Sequence, residues 1–373
     1  MTTQVSVPAS GLNLPISDFR IDGERRTDIV LLGASLAAAV SSHESAKVTA
    51  RIPSTVVSGL ERLPIEFRIG SNPTYTFHGY IYTVEKGQKL QSQVECVLNC
   101  IGSTSDAKNP VFGLLENVTA EDVADSVLGQ FGLGYYSTGS DVRIPRLALT
   151  GRSGWEAVHD AVNLTGRETV AINGGLWFFD PLTELGRLTP AVQLRKSLDS
   201  YDSGDRKLLD FTPGSARPKV SNEDLPRASW FAPDGSVRTE APEGDNTYWV
   251  NDLYLPTSDF AKAVFARARK KFTLGQTATA RVMGSAGILP GMTIDVSTGV
   301  AAVITDTYDG LWLVASVEHE ILNGVFQTKL SLVRDKYRRS NTKAYEPFWQ
   351  RTTRPFPTMT LSGGKWVSTW RKK

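Results

Sequence analysis

The sequence is poor in the residues that most often carry metal and redox chemistry. It has two cysteines, four methionines and four histidines in 373 residues. The histidines, His43, His78, His159 and His319, are scattered, and their spacing to the cysteines fits no zinc site. The formal net charge is only +2, so no overall field points to nucleic acid as a partner. We therefore expect no metal and no bound cofactor.

The two cysteines, Cys96 and Cys100, stand in the alternating segment VECVLNC. Alternation predicts a strand in which both thiols point to the same face. Residues four apart in a strand are separated by about 13 Å, which is too far for a disulfide. We expect two buried free thiols, as in a protein that folds in a reducing compartment.

Long hydrophobic runs are also missing. The longest, IVLLGASLAAAV at residues 29–40, has about 12 residues, whereas a transmembrane helix needs about 20. Residues 1–17 lack the basic start and apolar centre of a signal peptide. We therefore expect that the protein is made in the cytoplasm and does not insert stably into a membrane.

The usual catalytic motifs are incomplete. His319-Glu320 begins an HExxH-like string, but position 323 is Asn, and the segment alternates as a strand does. Gly151-Arg152-Ser153-Gly154 lacks the residue that a nucleophile elbow has between Ser and the second Gly. Pairs of acids such as Glu318 and Glu320 are more often solvated than catalytic. The prediction is a protein without catalytic residues, not an enzyme.

What the chain does have is a division into four parts. Residues 1–105 alternate in runs such as LPIEFRIG, which predicts a first β-barrel. Residues 106–190 carry two amphipathic helices and a hairpin, which predicts a small α/β insertion. Residues 191–335 predict a second β-barrel, with long loops rich in Gly, Pro, Asp and Ser at 200–250. Residues 336–373 form a C-terminal arm. The predicted fold class is mainly β, with two barrels flanking an α/β subdomain.

Residues 153–181, SGWEAVHDAVNLTGRETVAINGGLWFFDP, form the clearest local unit. Ser153 with Glu156 three residues later is typical of a capping box at the start of a helix. Gly166 fits the left-handed residue after a helix. Asn173-Gly174-Gly175 predicts a tight turn between two short strands. In residues 106–131, Thr119 is predicted to cap a second helix.

The arm combines positive charge with aromatic side chains. Residues 336–373 contain ten Lys or Arg and one Glu, and three prolines interrupt them. Trp, Tyr and Arg are typical interface anchors, so we predict that this arm either wraps its own domain or docks on a partner protein. The candidate docking residues are Trp349, Phe356, Trp366 and Trp370. Stacking on single-stranded nucleic acid is the alternative interpretation.

Three segments, in order, resemble the phage tail or baseplate hub family, which includes the late control gene D proteins and the hub half of type VI secretion spike proteins. The first is FHGYIYTVE at 77–85, similar to the family's F-x-G-x-V strand with Ile81 in place of Val. The second is NVTAEDVADSVLGQFGL followed by SGWEAVHDAV…TGRETVAINGGLWFFDP. The third runs from GQTATARVMG to LSLVR at 275–334, where Val317, His319 and Arg334 match the last barrel.

The resemblance implies a structural virion protein at the tail tip, made in the host cytoplasm. It implies a homotrimer with two similar barrels per subunit, so that three subunits form a pseudo-sixfold ring. Such a hub joins the sixfold tail tube to a threefold tip or spike and lines a channel. Its expected partners are a distal tail or tube protein, a spike or fibre protein, the tape measure protein and, in transit, DNA.

Two other functions stay open. The first is a tail-associated cell-wall hydrolase, because members of the hub family are often fused to such enzymes. The second is a host-receptor or carbohydrate-binding module, because the chain has eight tryptophans, including Trp366 and Trp370 in the arm.

Overall fold

A computed structural model describes residues 16–70, 75–137, 139–186, 190–196, 205–214, 226–240, 248–255, 257–271, 274–298, 308–334 and 359–368. Most elements in these ranges are strands. The chain is mainly β, as predicted.

Seven strands make up the N-terminal part. They are β1 (Ile16–Ile21), β2 (Glu24–Arg25), β3 (Val30–Ala39), β4 (Ser45–Pro53), β5 (Pro64–Ile69), β6 (Tyr75–Leu90) and β7 (Gln93–Gly102). They pair antiparallel in the order β2-β1-β5-β6-β7-β4-β3. Cys96 and Cys100 are buried, free and on one face of β7, as predicted. Alternation sorts apolar side chains to the inside of this sheet.

The middle of the chain contains short strands and three helices. They are β8 (Pro110–Val111), β9 (Leu114–Val118), α1 (Ala120–Leu128), β10 (Tyr135–Ser137), β11 (Ile144–Ala148), β12 (Arg152–Ser153), α2 (Gly154–Leu164), β13 (Glu168–Ile172), β14 (Gly175–Phe179) and α3 (Pro181–Gly186). Both predicted helix caps are confirmed: Thr119 and Ser153 each form a capping box with the acid three residues later. The predicted hairpin is β13–β14, with positive φ at Asn173 and Gly174.

The C-terminal part closes a barrel. Its elements are β15 (Val192–Arg195), β16 (Asp205–Pro213), β17 (Pro226–Phe231), β18 (Val237–Glu240), β19 (Tyr248–Leu255), α4 (Ser258–Lys271), β20 (Gln276–Met283), β21 (Thr293–Ser297), β22 (Gly310–Leu322), β23 (Val325–Arg334), β24 (Met359–Ser362) and β25 (Lys365–Ser368). Six of them form a ring in the order β22-β21-β15-β16-β20-β23. The ring is closed because β23 also pairs with β22.

Long loops are predicted at 200–250, and residues 200–204, 215–225 and 241–247 of this range lie outside the described residues, so the loops stay a prediction. This range contains β16, β17, β18 and the start of β19. β16 pairs with β15 and β20, and a register shift between Leu208 and Asp210 breaks its alternation. β17, β18 and β19 form a separate three-stranded sheet.

The two sets of strands form one continuous sheet of thirteen strands. The junction is the antiparallel pair β3–β22, which runs from Gly33↔Leu322 to Ala39↔Ser316. In the described residues the C-terminal set closes into a ring, whereas the N-terminal set stays open between β1 and β3. The continuous sheet fixes the two halves side by side.

The hydrophobic interior has two clusters. One lies inside the continuous sheet, and the other includes α1, α2 and the faces that pack on them. The second cluster also takes in Trp230, Leu255 and Phe260, from within the range 191–335, and Trp366 from the arm. Side chains from three separated parts of the chain therefore share one core.

Candidate assembly surfaces

The β13–β14 hairpin lies between the two clusters. Val170 and Trp177 belong to the cluster inside the sheet, whereas Ala171 and Phe178 belong to the helical one. All five residues of β14 are buried, which explains why GLWFF is a continuous apolar run and not an alternating one. The hairpin thus joins the helices rigidly to the sheet.

A buried carboxylate fixes the tip of this hairpin. Glu44, fully buried between β3 and β4, accepts hydrogen bonds from the backbone N–H groups of Asn173 at 2.8 Å and Gly174 at 3.2 Å. The Tyr75 hydroxyl also donates to it, and the Asn173 side chain accepts from Thr76 N–H at 3.1 Å. Burial raises the pKa of Glu44 to about 7, and the two N–H donors oppose that rise. No sequence signal marks Glu44, because its partners are 129 and 130 residues away.

The junction between the two halves carries an open groove on the outer face of the sheet. Its volume is about 640 Å³, and small side chains of β3 and β22, including Ala37, Ala39 and Ser316, form its floor. The charged lining residues are two acids, Asp210 and Glu318, and two bases, Arg281 and Lys329. The groove is therefore balanced in charge.

Charged side chains on this outer face form ion pairs with one another. Lys329 Nζ lies 2.9 Å from Glu320 and 3.5 Å from Glu318. The hydrogen bond to Glu320 raises the pKa of Lys329. His43 also lines the groove, but burial lowers its pKa to about 4, so it is neutral at pH 7. These exposed ion pairs contribute little to stability, but they set the local charge.

The two strand sets repeat one pattern. Strands β3, β4, β5, β6 and β7 pair among themselves in the same way as β16, β20, β21, β22 and β23. The irregularities repeat as well: the bulge between Ile81 and Thr83 of β6 corresponds to that between Val314 and Ser316 of β22. β1 and β15 depart from the repeat, since β1 pairs antiparallel with β5 but β15 pairs parallel with β21.

Sequence reasoning missed an exposed apolar patch at one end of the sheet. Leu322 and Val325 face each other beside the Asn323-Gly324 turn and are 54% and 50% exposed. Met283 on the adjacent β20 is 46% exposed. Asn-Gly is typical of a hairpin turn, but the exposure of its flanking residues depends on which face of the sheet packs inward.

Trp366, which the sequence suggested as a residue that docks on a partner, is buried in its own chain. Its indole Nε1–H donates to Gly79 O at 2.8 Å, and its ring meets His78 edge-on at 4.9 Å. Ser368 N–H donates to Gly132 O at 2.7 Å. The β24–β25 hairpin therefore ties β6 to the turn after α1. Trp349, Phe356 and Trp370 lie outside the described residues.

The residues considered for metal binding do not come together in the described part of the chain. No group of three or more His, Cys, Asp or Glu side chains among the described residues could hold a metal. His319, the start of the HExxH-like string, is buried on β22 with Nδ1 3.0 Å from the Thr328 hydroxyl. Within the same part of the chain, none of the helices has the length and apolarity that crossing a membrane requires.

Comparison with known proteins finds solved structures with a similar fold. No protein-family model and no curated protein sequence matches the chain. Among solved structures, a tail protein from Neisseria meningitidis MC58 aligns with 14% identity and a TM-score of 0.60, over 87% of this chain and 97% of that one. A 43 kDa tail protein of prophage MuSo2 from Shewanella oneidensis aligns with 12% identity and a TM-score of 0.61, over 86% and 98%.

A type VI secretion component aligns as well. The E. coli c3393 protein, described as structurally similar to the T4 bacteriophage tail proteins gp27 and gp5, has 11% identity and a TM-score of 0.57, over 89% of this chain and 80% of that one. The chain therefore has the fold of phage tail proteins and of this type VI component. The resemblance to the tail hub family is confirmed at the level of the fold.

Proposed function

We propose that this chain is a structural tail protein whose homotrimer forms the hub between a sixfold tail tube and a threefold tip. The observation that carries the proposal is the repeated strand pattern joined by the β3–β22 junction. Two similar units side by side in one chain give six units in a trimer. A ring of six can match a sixfold tube while its true symmetry stays threefold.

The proposal includes a division of labour along the chain. Residues 1–105 and 191–335 supply the two barrel units, and residues 106–190 supply the α/β part outside the ring. Residues 336–373 serve as an arm.

The outer face of the sheet is proposed to line the channel. It is the face that is continuous across both units, and its groove carries two acids and two bases. A channel that passes the tape measure protein and then DNA must not hold a polyanion tightly. Balanced charge meets that requirement, because binding to DNA grows with the number of uncompensated Lys and Arg contacts.

The other proposed partners contact the two ends of the ring. The patch of Leu322, Val325 and Met283 is exposed and apolar, as expected of a protein-binding surface. It fits stacking on a distal tail or tube protein. Trp349, Phe356 and Trp370 are proposed to dock the arm on a spike or fibre protein. The complex would then reside at the tail tip of the virion.

The test is the native mass of the purified chain, by light scattering on a sizing column at two concentrations. The subunit mass is 40.7 kDa, and we expect a particle of three subunits that shows six lobes by electron microscopy. A monomer that stays monomeric when the neighbouring tail proteins are added would overturn the proposal.

A further inference from the structure

We propose that two strand edges without a second strand partner among the described residues pair with each other between copies of this chain. Leu208 to Pro213 of β16 forms an antiparallel pair with Tyr82 to Leu90 of β6 of a second copy. The inference rests on the homotrimer proposed above and names the contact that would close it.

The first edge belongs to β6. From Tyr75 to Tyr80 this strand pairs with β5, and from Gly79 onward its other side pairs with β7. Beyond Tyr80 its only strand partner among the described residues is β7. Tyr82 is 71% exposed. A long unpaired edge is a template for another strand.

The equivalent strand in the C-terminal set shows how such an edge is used. β22 pairs with β21 from Gly310 to Leu313, and beyond its bulge the same side pairs with β3 from Ser316 to Leu322. The corresponding stretch of β6, after the bulge at Tyr82, starts at Thr83. The pairing of β6 therefore matches that of β22 up to the bulge. Beyond the bulge, β22 pairs with β3, and the same edge of β6 has no equivalent strand among the described residues.

The second edge belongs to β16, the equivalent of β3. Asp205, Arg206 and Lys207 pair with β15, and from Leu208 onward the only strand partner among the described residues is β20. The bulge in β16 between Leu208 and Asp210 matches the bulge in β3 between Leu31 and Gly33. The stretch of β3 that follows its bulge is the one that meets β22.

The repeat also supplies the register. We superpose β16 on β3 and β6 on β22 so that their bulges align. The observed pair Leu36↔His319 then corresponds to Pro213 opposite Lys86. The same register places Asp210 opposite Lys89, or one residue later at Leu90, because β6 carries one extra residue relative to β7 between Lys86 and Lys89. Asp210 and Lys89 are both exposed and of opposite charge, and opposite charges directly across a strand pair are favourable.

Pro213 marks the end of the ladder. Gly214 N–H donates to Thr277 O of β20. Because the backbone groups of successive strand residues point to opposite sides, those of Pro213 point away from β20, toward the proposed partner strand. Pro213 has no N–H to donate, so hydrogen bonding across the new pair centres on Phe211. A short pair of this kind closes a ring without inviting open-ended sheet growth.

The experiment is disulfide trapping between two differently tagged, co-expressed copies. One copy carries Asp210→Cys and the other Lys89→Cys, with Leu90→Cys as a second register. The control replaces Lys89→Cys by Lys47→Cys, an exposed site on β4. We expect about tenfold more cross-linked heterodimer for the 210/89 or 210/90 pair than for 210/47, since cysteines form a disulfide only with Cα atoms within about 7 Å. The native Cys96 and Cys100 are buried.

Native mass measured on the same samples separates this inference from the proposed function. A trimer with cross-links above the control supports both. A trimer without them overturns the β16–β6 contact and leaves the hub. Cross-links in dimers or open chains support the contact and contradict the closed trimer, whereas a monomer without cross-links overturns both. As a second test, Asp210→Lys should weaken association and Lys89→Asp in the same chain should restore it; no rescue would count against the pair.

Discussion

At the scale of single residues, Gly79 shows why the FHGYI strand needs glycine. A Cβ at this position would lie 2.2 Å from Ile101 O and 2.7 Å from the Phe77 ring. Gly79 O also accepts the Trp366 indole N–H. We expect Gly79→Ala to lower the free energy of unfolding by at least about 2 kcal/mol, because backbone must move. Urea unfolding measures this. Gly59→Ala is the control, since nothing lies within 4 Å of its Cβ; equal losses would contradict the argument.

Glu44 should make stability depend on pH. Burial raises its folded pKa from 4.5 to about 7, so between these values the folded state holds a proton that the unfolded state has lost. The contribution is therefore largest below pH 4.5 and falls as pH rises to 7, by up to about 3 kcal/mol. Glu44→Gln should remove this component.

The measurement is urea unfolding of wild type and Glu44→Gln between pH 4.5 and 8. The difference between the two variants isolates Glu44, because the buried histidines act in the opposite direction in both. Burial lowers the pKa of His78 to about 4 and of His319 to about 3, so their contribution is lost as pH falls below 6.5. Glu24→Gln, on the exposed β2, should run parallel to wild type. A pH-independent difference would refute the role of Glu44.

At the scale of elements, the helices depend on their caps. Thr119 Oγ accepts from Asp122 N–H at 3.1 Å, and Thr119 N–H donates to Asp122 at 2.9 Å. Thr119→Ala should cost about 1 kcal/mol of unfolding free energy. Ser126→Ala, at an exposed position in the same helix, should change it by less than about 0.5 kcal/mol. Chemical denaturation compares the two, and similar effects would argue against the capping box.

The β24–β25 hairpin depends on Trp366, which is 3% exposed. Trp366→Ala should release the hairpin locally, because about 3 kcal/mol of burial is lost together with the hydrogen bond to Gly79. Thermolysin should then cut within residues 359–368 much faster than in wild type, as mass spectrometry would report. Ser362→Ala, at the exposed turn, should leave the rate unchanged. Unaltered cleavage of Trp366→Ala would mean that other contacts hold the hairpin.

At the scale of the whole molecule, the groove predicts weak DNA binding. Two acids offset two bases in its lining, so we expect no measurable affinity for a DNA fragment at about 0.15 M salt. Glu318→Lys makes the lining net positive and should produce binding that falls with salt. Glu116→Lys, on the exposed β9, is the matched control. Fluorescence anisotropy tests this; tight binding by wild type would contradict a channel role for the face.

The sequence alone determined the features that depend on neighbours a few residues away. The capping boxes at Thr119 and Ser153, the turns at Asn173-Gly174 and Asn323-Gly324, and the shared face of Cys96 and Cys100 follow from local spacing. Hydrogen bonds across three residues and alternation along one strand leave a direct trace in the order of residues.

Only the tertiary structure decided which distant segments meet. The pairs β15–β21 and β16–β20 in the C-terminal barrel, the β3–β22 junction and the bond from Glu44 to Asn173 all join residues far apart in the chain. It also placed Trp366 against Gly79, 287 residues away, where the sequence had suggested a partner. An aromatic residue in a basic arm has the same local signature whether it covers its own subunit or another, because burial is set by the surface opposite it and not by its neighbours in sequence.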